Sequence, residues 1–331
     1  MPLKTPQFWY RSPSSPTPLI EKFLTPFSML YQLGQNMNLG SRHTNTVDIP
    51  VICIGNITAG GSGKTPTIIA LHKLLIKYNI FQSPYFLSRG YGGSENQTRC
   101  IDIQDDAKEV GDEPLLLASH SKTIISVNRY NGAKLMCELG ADCILMDDGF
   151  QNASLHKDIS LLVIDGTTGL GNKKLLPSGP LREPINSAFE RTQAVVIIGD
   201  DQTNIMSLIP AHIPTFNASI QVPDMQTINR EQKYVAFAGL GHPQKFYNTL
   251  KQNNMNIATF HEFADHHPYS PKDMNKLINE AQQNNAKLLT TEKDFQRIPH
   301  DYRNNIDTFP IELVWEDEGS VINFLKNELK R

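Results

Sequence analysis

After the apolar run Val51-Ile52-Cys53-Ile54, the chain turns through Thr58-Ala59-Gly60-Gly61-Ser62-Gly63-Lys64-Thr65 and enters a second apolar stretch. A glycine-rich turn between a buried strand and a helix lets backbone N–H groups converge on an anion at the helix's positive end. Lys64 then reaches the terminal phosphates of a nucleotide, and the Thr65 hydroxyl is a ligand for Mg²⁺. The usual spacing, GxxxxGK[ST], opens on a glycine, where this chain has Thr58. Pro66 suits the first turn of a helix, which Ile68, Ile69, Leu71, Leu74 and Leu75 continue.

Apolar, β-rich runs recur at Tyr85-Phe86-Leu87, Ile124-Ile125-Ser126-Val127, Cys143-Ile144-Leu145-Met146, Leu161-Leu162-Val163-Ile164 and Ala194-Val195-Val196-Ile197-Ile198. Near-continuous apolar strands of this kind belong to a parallel sheet covered on both faces. The expected fold is therefore α/β, a P-loop NTPase-like doubly wound and mostly parallel sheet, with functional residues at the strands' carboxyl ends. A polar stretch over 199–232, with Pro210, Pro214 and Pro223, places a boundary near 213. Three parts are expected: an N-terminal amphipathic segment over 1–45, a nucleotide-binding core over 46–213, and a smaller α/β domain over 214–331. The last helix, about 318–330, is free to pack on either lobe.

Across 331 residues the formal net charge is only −3, so there is no global basic field and nucleic acid is not an expected partner. Cys53, Cys100, Cys137 and Cys143 form no CxxC pair and read as reduced thiols in a cytosolic setting. No stretch approaches the ~20 apolar residues of a spanning helix. Residues 8–33 are unusual, however. Phe8-Trp9-Tyr10-Arg11 and a Pro/Ser-rich turn at 12–18 precede Leu19, Ile20, Phe23, Leu24, Phe27, Leu30 and Tyr31 at helical spacing. This is an amphipathic helix, expected to bend or break near Pro26. It fits either a helix packed on its own domain or an interfacial membrane anchor with Arg11, Lys22 and Arg42 nearby.

A phosphate-loop enzyme needs an acidic residue at a neighbouring strand end to hold Mg²⁺. Three strands qualify, ending at Asp147-Asp148, Asp165 and Asp200-Asp201, and the paired carboxylates before Gly149-Phe150-Gln151 are the richest candidate. Gly111-Asp112-Glu113-Pro114 reads as a helix start, and phosphoryl transfer to a hydroxyl also needs a carboxylate of this kind to orient the acceptor. Arg89, Arg129 and Arg182 lie in Gly/Pro-rich or strand-end settings suited to phosphate oxygens. His261-Glu262-Phe263-Ala264-Asp265-His266-His267 lacks the four-residue histidine spacing of a zinc protease helix. Thr291-Glu292-Lys293-Asp294 lacks the NKxD spacing of guanine recognition, which disfavours a regulatory GTPase. A P-loop switch or metallochaperone-type NTPase acting on a protein partner remains the alternative, though no obligate protein partner is evident.

Taken in order, GNITAGGSGKTP at 55–66, SRGYGG at 88–93, GDEP at 111–114, DDGFQ at 147–151, LLPSGPLREP at 175–184, FADHHPYS at 263–270 and TTEKDFQR at 290–297 resemble the tetraacyldisaccharide 4'-kinase family. That resemblance implies ATP- and Mg²⁺-dependent transfer of the γ-phosphate to the 4'-hydroxyl of an acylated glucosamine disaccharide 1-phosphate. The product would be lipid IVA, in lipid A (lipopolysaccharide) biosynthesis. It implies a peripheral enzyme at the cytoplasmic face of the bacterial inner membrane, and it tips the N-terminal helix toward membrane contact. It implies a catalytic dyad of Asp112 and His266, favouring His266 over His267. Lys64 and Thr65 would be the phosphate-loop pair, with Thr65, Asp147 and Asp148 at the metal. Arg129, Gln151 and Arg182 would act on phosphate or substrate. Where the family pattern DDGFQH ends in histidine, this chain carries Asn152.

Overall fold

The computed structural model describes residues 6–11, 16–39, 44–223 and 229–330. The chain opens with α1 (Leu19–Leu39), β1 (Val51–Gly55), α2 (Lys64–Lys77), β2 (Pro84–Ser88), β3 (Arg99–Cys100), α3 (Ala107–Val110), α4 (Asp112–Ala118) and β4 (Thr123–Ile125). It continues through α5 (Arg129–Glu138), β5 (Cys143–Asp147), β6 (Ile159–Asp165), α6 (Ile185–Phe189), β7 (Ala194–Ile198) and β8 (Thr215–Gln221). A smaller unit follows, with β9 (Tyr234–Ala238), α7 (Pro243–Gln252), β10 (Ile257–Glu262), α8 (Pro271–Gln283), β11 (Lys287–Thr291), α9 (Glu292–Gln296) and β12 (Ile306–Phe309). The chain then closes with β13 (Glu312–Trp315) and α10 (Glu318–Glu328).

Among the described residues the larger sheet has nine strands in the order β13-β8-β7-β6-β1-β5-β2-β4-β3. Its interior pairings are parallel, and only the edge strands β13 and β3 run antiparallel to their neighbours. Alternation along β1 divides the core in two. Val51 and Cys53 join the layer of Ala133, Met136 and Phe189, whereas Ile52 and Ile54 join that of Ile68, Leu71, Leu75 and Val321. Helices therefore cover both faces, which is why these strands are apolar on every residue. The smaller sheet, β10-β9-β11-β12, is parallel throughout.

Two expectations are corrected. The division between the sheets does not fall near 213, because β8 pairs with β7 in the larger sheet. The smaller sheet begins at Tyr234, and β13 and α10 return to the larger one, where Leu313, Trp315, Val321 and Leu325 complete its core. Of the two outcomes expected at Pro26, a bend or a break, the break does not occur: α1 runs through the proline. Glu21 and Ser28 anchor the helix on either side of that proline, and Pro26 itself is solvent-exposed. A carbonyl left without its N–H partner is thus tolerated at the surface. Arg42 and residues 12–15 of the Pro/Ser-rich turn lie outside the described residues.

Candidate active site

The phosphate loop connects β1 to α2 at the carboxyl edge of the larger sheet, as the doubly wound plan requires. Gly63, at φ +85°, forms the helix cap, and a Cβ there would collide with the Ile198 side chain. Glycine is therefore needed for both backbone conformation and close approach. Lys64 and Thr65 are the first two residues of α2, and the Ser62 hydroxyl is buried without a partner among the described residues. The amide of Ala59 donates to Pro180 O at 2.7 Å, and Thr58 forms a bridge with Leu181. These two residues fasten the loop to the 180 segment. In this arrangement Gly60, Gly61, Ser62 and Gly63 form the turn ahead of the first residues of α2.

Beside the loop, β5 ends at Asp147-Asp148. Lys64 Nζ lies 3.7 Å from Asp148 and 3.3 Å from Asn56 Oδ1, and Arg182 donates to both Asp148 oxygens at 3.1 and 3.2 Å. Asp148 has φ +46°, a left-handed conformation that costs a non-glycine residue about 1 kcal/mol or more. Asp147 is buried, and its Oδ1 has no partner among the described residues. Burial, with Glu113 and Asp148 nearby, pushes the Asp147 carboxyl up to about 7, against the opposing pull of Lys64 and Arg129. Asp148 is held below the usual carboxylate range, because the cations Lys64 and Arg182 outweigh its burial.

The orphaned, buried carboxylate oxygen of Asp147 at the end of β5 fits a hard cation. Among the described residues no three His, Cys, Asp or Glu side chains are grouped to hold a metal by themselves. Of the other strand-end acids, Asp165 pairs with Lys245 at 2.6 Å and Asp201 accepts from the amides of Ile205 and Met206. The first joins the two lobes and the second caps a turn.

Gln151 donates to Asn56 O and to Glu183 Oε1, each at 2.9 Å, and Glu183 is in turn paired with Arg191. Arg129 opens α5 and is buried. It donates to Ser126 O at 2.6 Å, and its Nε is without a partner among the described residues. Burial, reinforced by neighbouring Arg89, pulls its guanidinium down to about 10. Asn152 accepts from Ser154 in a local turn, an interaction independent of any nucleotide.

A recess is lined by residues of both lobes. Gly111, at φ +92°, swings the chain into α4, and a Cβ there would lie 2.5 Å from Tyr91 O. Asp112 opens that helix, its Oδ1 accepting from the Glu113 amide at 2.9 Å. From the smaller lobe, His266 Nδ1 reaches Asp112 Oδ2 at 3.0 Å. His266 also has a positive φ, +54°, which turns its ring out of the loop after β10 toward the larger lobe. Burial alone would raise the Asp112 carboxyl, but the His266 hydrogen bond with Lys293 and Arg297 holds it at about 2. His267 instead meets Asp273, the acid of the capping box that starts α8.

Four site residues escaped sequence reasoning: Asn56, Glu183, Lys293 and Arg297. Asn56 follows β1 directly and is fully buried, and a polar residue at that position was the available signal. Lys293 and Arg297 sit in the segment that superficially resembles a guanine motif. There Thr291 caps α9, while Lys293 pairs with Glu113 at 2.8 Å.

A phosphate loop, a metal-competent carboxylate pair and an Asp–His contact at the junction of two lobes define a nucleotide-dependent phosphotransferase. The family model described as tetraacyldisaccharide-1-P 4'-kinase matches residues 20–330. The chain is 41% identical over 317 residues to the tetraacyldisaccharide 4'-kinase of Paramagnetospirillum magneticum, covering 95% of each chain. It is 39% identical over 322 residues to that of Gluconobacter oxydans, covering 97% of this chain and 96% of the relative. Its fold matches the crystal structure of LpxK from Aquifex aeolicus in complex with ATP, with TM-score 0.76 and 26% identity, over 94% of this chain and 99% of that one. The chain belongs to the tetraacyldisaccharide 4'-kinase family. Membership makes it a kinase, in place of a switch acting on a protein partner.

Proposed function

We propose that this chain transfers the γ-phosphate of ATP to the 4'-hydroxyl of an acylated glucosamine disaccharide 1-phosphate, giving lipid IVA. The observation that carries the reading is the Asp112–His266 contact, which brings a carboxylate and an imidazole from separate lobes to one recess. Lys64 and the amides of Gly60–Gly63 hold the phosphates and offset their charge. Mg²⁺, held by Thr65 with Asp147 and Asp148, would neutralise charge developing on the phosphoryl oxygens. Asp112 accepts a hydrogen bond from the acceptor hydroxyl and aligns it for in-line attack. As the new O–P bond forms, the hydroxyl proton passes to the carboxylate, the bond from the γ-phosphorus to the bridging oxygen breaks, and ADP leaves. Arg129 and Arg182 attract phosphate oxygens, and Gln151 braces the strand-end loop.

The proposed site of action is the cytoplasmic face of the inner membrane, reached peripherally. No helix among the described residues is long and apolar enough to cross a membrane. Helix α1 has the reverse of the usual polarity. Glu21 and Ser28 are buried against the protein, while Leu19 (83% exposed), Phe23 (71%), Phe27 and Leu30 face outward. An apolar face turned away from the core suits the acyl region of a lipid surface.

The direct experiment supplies purified protein with ATP, Mg²⁺ and the acylated disaccharide 1-phosphate in mixed micelles and follows the acceptor by mass spectrometry. A gain of one phosphate is expected. An unmodified acceptor alongside rapid ATP hydrolysis would overturn the assignment.

A further inference from the structure

The recess holding Asp112 and His266, of about 80 Å³, is also lined by Arg297, just beyond the end of α9. Arg297 is held on three sides by its own lobe. Nη1 donates to His267 O at 3.1 Å, and Nη2 donates to Gly239 O at 3.0 Å and to Asp294 Oδ1 at 2.5 Å. Asp294 is itself immobilised, accepting from Tyr269 Oη at 2.7 Å and from the Gly239 amide at 2.8 Å. From this mount, Nε of Arg297 approaches Asp112 Oδ2 in the other lobe at 3.2 Å, an ion pair outside hydrogen-bond geometry.

Asp112 thus has two cationic or potentially cationic partners of different character. Arg297 is 5% exposed and held by three acceptors of its own lobe, whereas the His266 side chain is 33% exposed. Arginine is always charged, and its planar fork is pre-organised, so little freedom is lost in holding a carboxylate. A buried carboxylate left without such a partner reverts toward its neutral form. We propose that Arg297 is a positioning residue for the transfer: it holds the Asp112 carboxylate in place as an anion when the lobes meet, leaving His266 as the partner that moves. This rests on Asp112 being the group that aligns the acceptor hydroxyl. The other charged groups around Asp112 are Glu113 on its own helix, Asp106 and Lys108 lining the recess from the α3 segment, Lys293 of α9, and Asp265 beside His266.

The test compares full-length wild type, Arg297→Gln, Arg297→Lys and Asp112→Asn in the micelle assay at neutral pH, with circular dichroism as the fold check. Arg297→Gln should lower kcat about tenfold or more while KM for ATP stays within about twofold. Arg297→Lys, which keeps the charge but not the fork, should recover part of kcat. A folded Arg297→Gln whose kcat and KM both match wild type would overturn the proposal. Should Arg297→Gln fail to fold, Arg297→Lys decides: a lowered kcat at unchanged KM supports the role, and an unchanged kcat overturns it. Full activity in Asp112→Asn would instead remove the reading of Asp112 on which the proposal stands.

Discussion

Nδ1 of His266 lies 3.0 Å from Oδ2 of Asp112, although 154 residues separate them along the chain. One is carried by the first turn of α4 in the larger unit and the other by the loop after β10 in the smaller. Replacing Asp112 with Asn keeps the shape and removes the charge. The expected result is a fall in kcat of about 10²–10⁴ with ATP affinity changed by less than about threefold, read from steady-state kinetics and nucleotide titration. His266→Gln should cost more activity than His267→Gln, because His267 is engaged with Asp273 at 3.2 Å.

The reversed polarity of α1 gives a second expectation. Leu19, Phe23 and Leu30 are exposed and make no part of the described core. A triple substitution to Ser should leave thermal stability unchanged and lower partitioning onto anionic lipid vesicles by about tenfold or more. Each apolar side chain transferred from water contributes up to about 1.5–3 kcal/mol. Vesicle co-sedimentation is the measurement, and undiminished binding would show that this face is not the contact.

Glu21 is fully buried on the opposite face of α1, 3.1 Å from Arg11 and 2.9 Å from Lys174. Although burial would raise its carboxyl, those two cations hold it below the usual range. Glu21→Ala should destabilise the protein by about 1–3 kcal/mol, since it leaves the docked face of α1 without its anion. Denaturant unfolding monitored at Trp9, whose indole donates to Pro177 O at 3.1 Å, would report the loss.

His72 packs against Phe86 with ring centroids 5.0 Å apart. Burial, with His120 and Lys73 nearby, pulls its imidazole down to about 4. Its folded value lies below the unfolded one, so the unfolded chain binds the extra proton first. This contribution to stability is complete above about pH 6.5 and is lost progressively as the pH falls toward about 4. His72→Gln cannot titrate there, and its melting temperature should decline less steeply than that of wild type across this interval.

Much of the larger sheet was legible because its strands are apolar on every residue and its phosphate loop fixes strand, turn and helix in order. The pairing of β8 with β7 was not legible. Thr215–Gln221 is a half-exposed strand with weak patterning, and its membership depends on the partner beside it. The same holds for β13, which returns across the whole smaller unit to pair with β8. At the site, Lys64, Thr65, Asp147 and Asp148 were singled out by local pattern, and Asp112 as a catalytic residue by the family resemblance. Arg297 and Asn56 were missed because single polar residues announce nothing until a distant group faces them.

From the residues alone came the phosphate-binding turn, the doubly wound plan, the amphipathic α1 and the family to which the chain belongs. Each is written in local spacing, and spacing determines which side chains share a face. Tertiary structure decided that α1 turns its polar side inward, that Asp147 loses water while Asp148 gains two cations, and that Asp112 meets both His266 and Arg297. Those outcomes depend on contacts between segments far apart in the chain. Burial and charge pairing act through space, so they are decided only when the sheets are assembled.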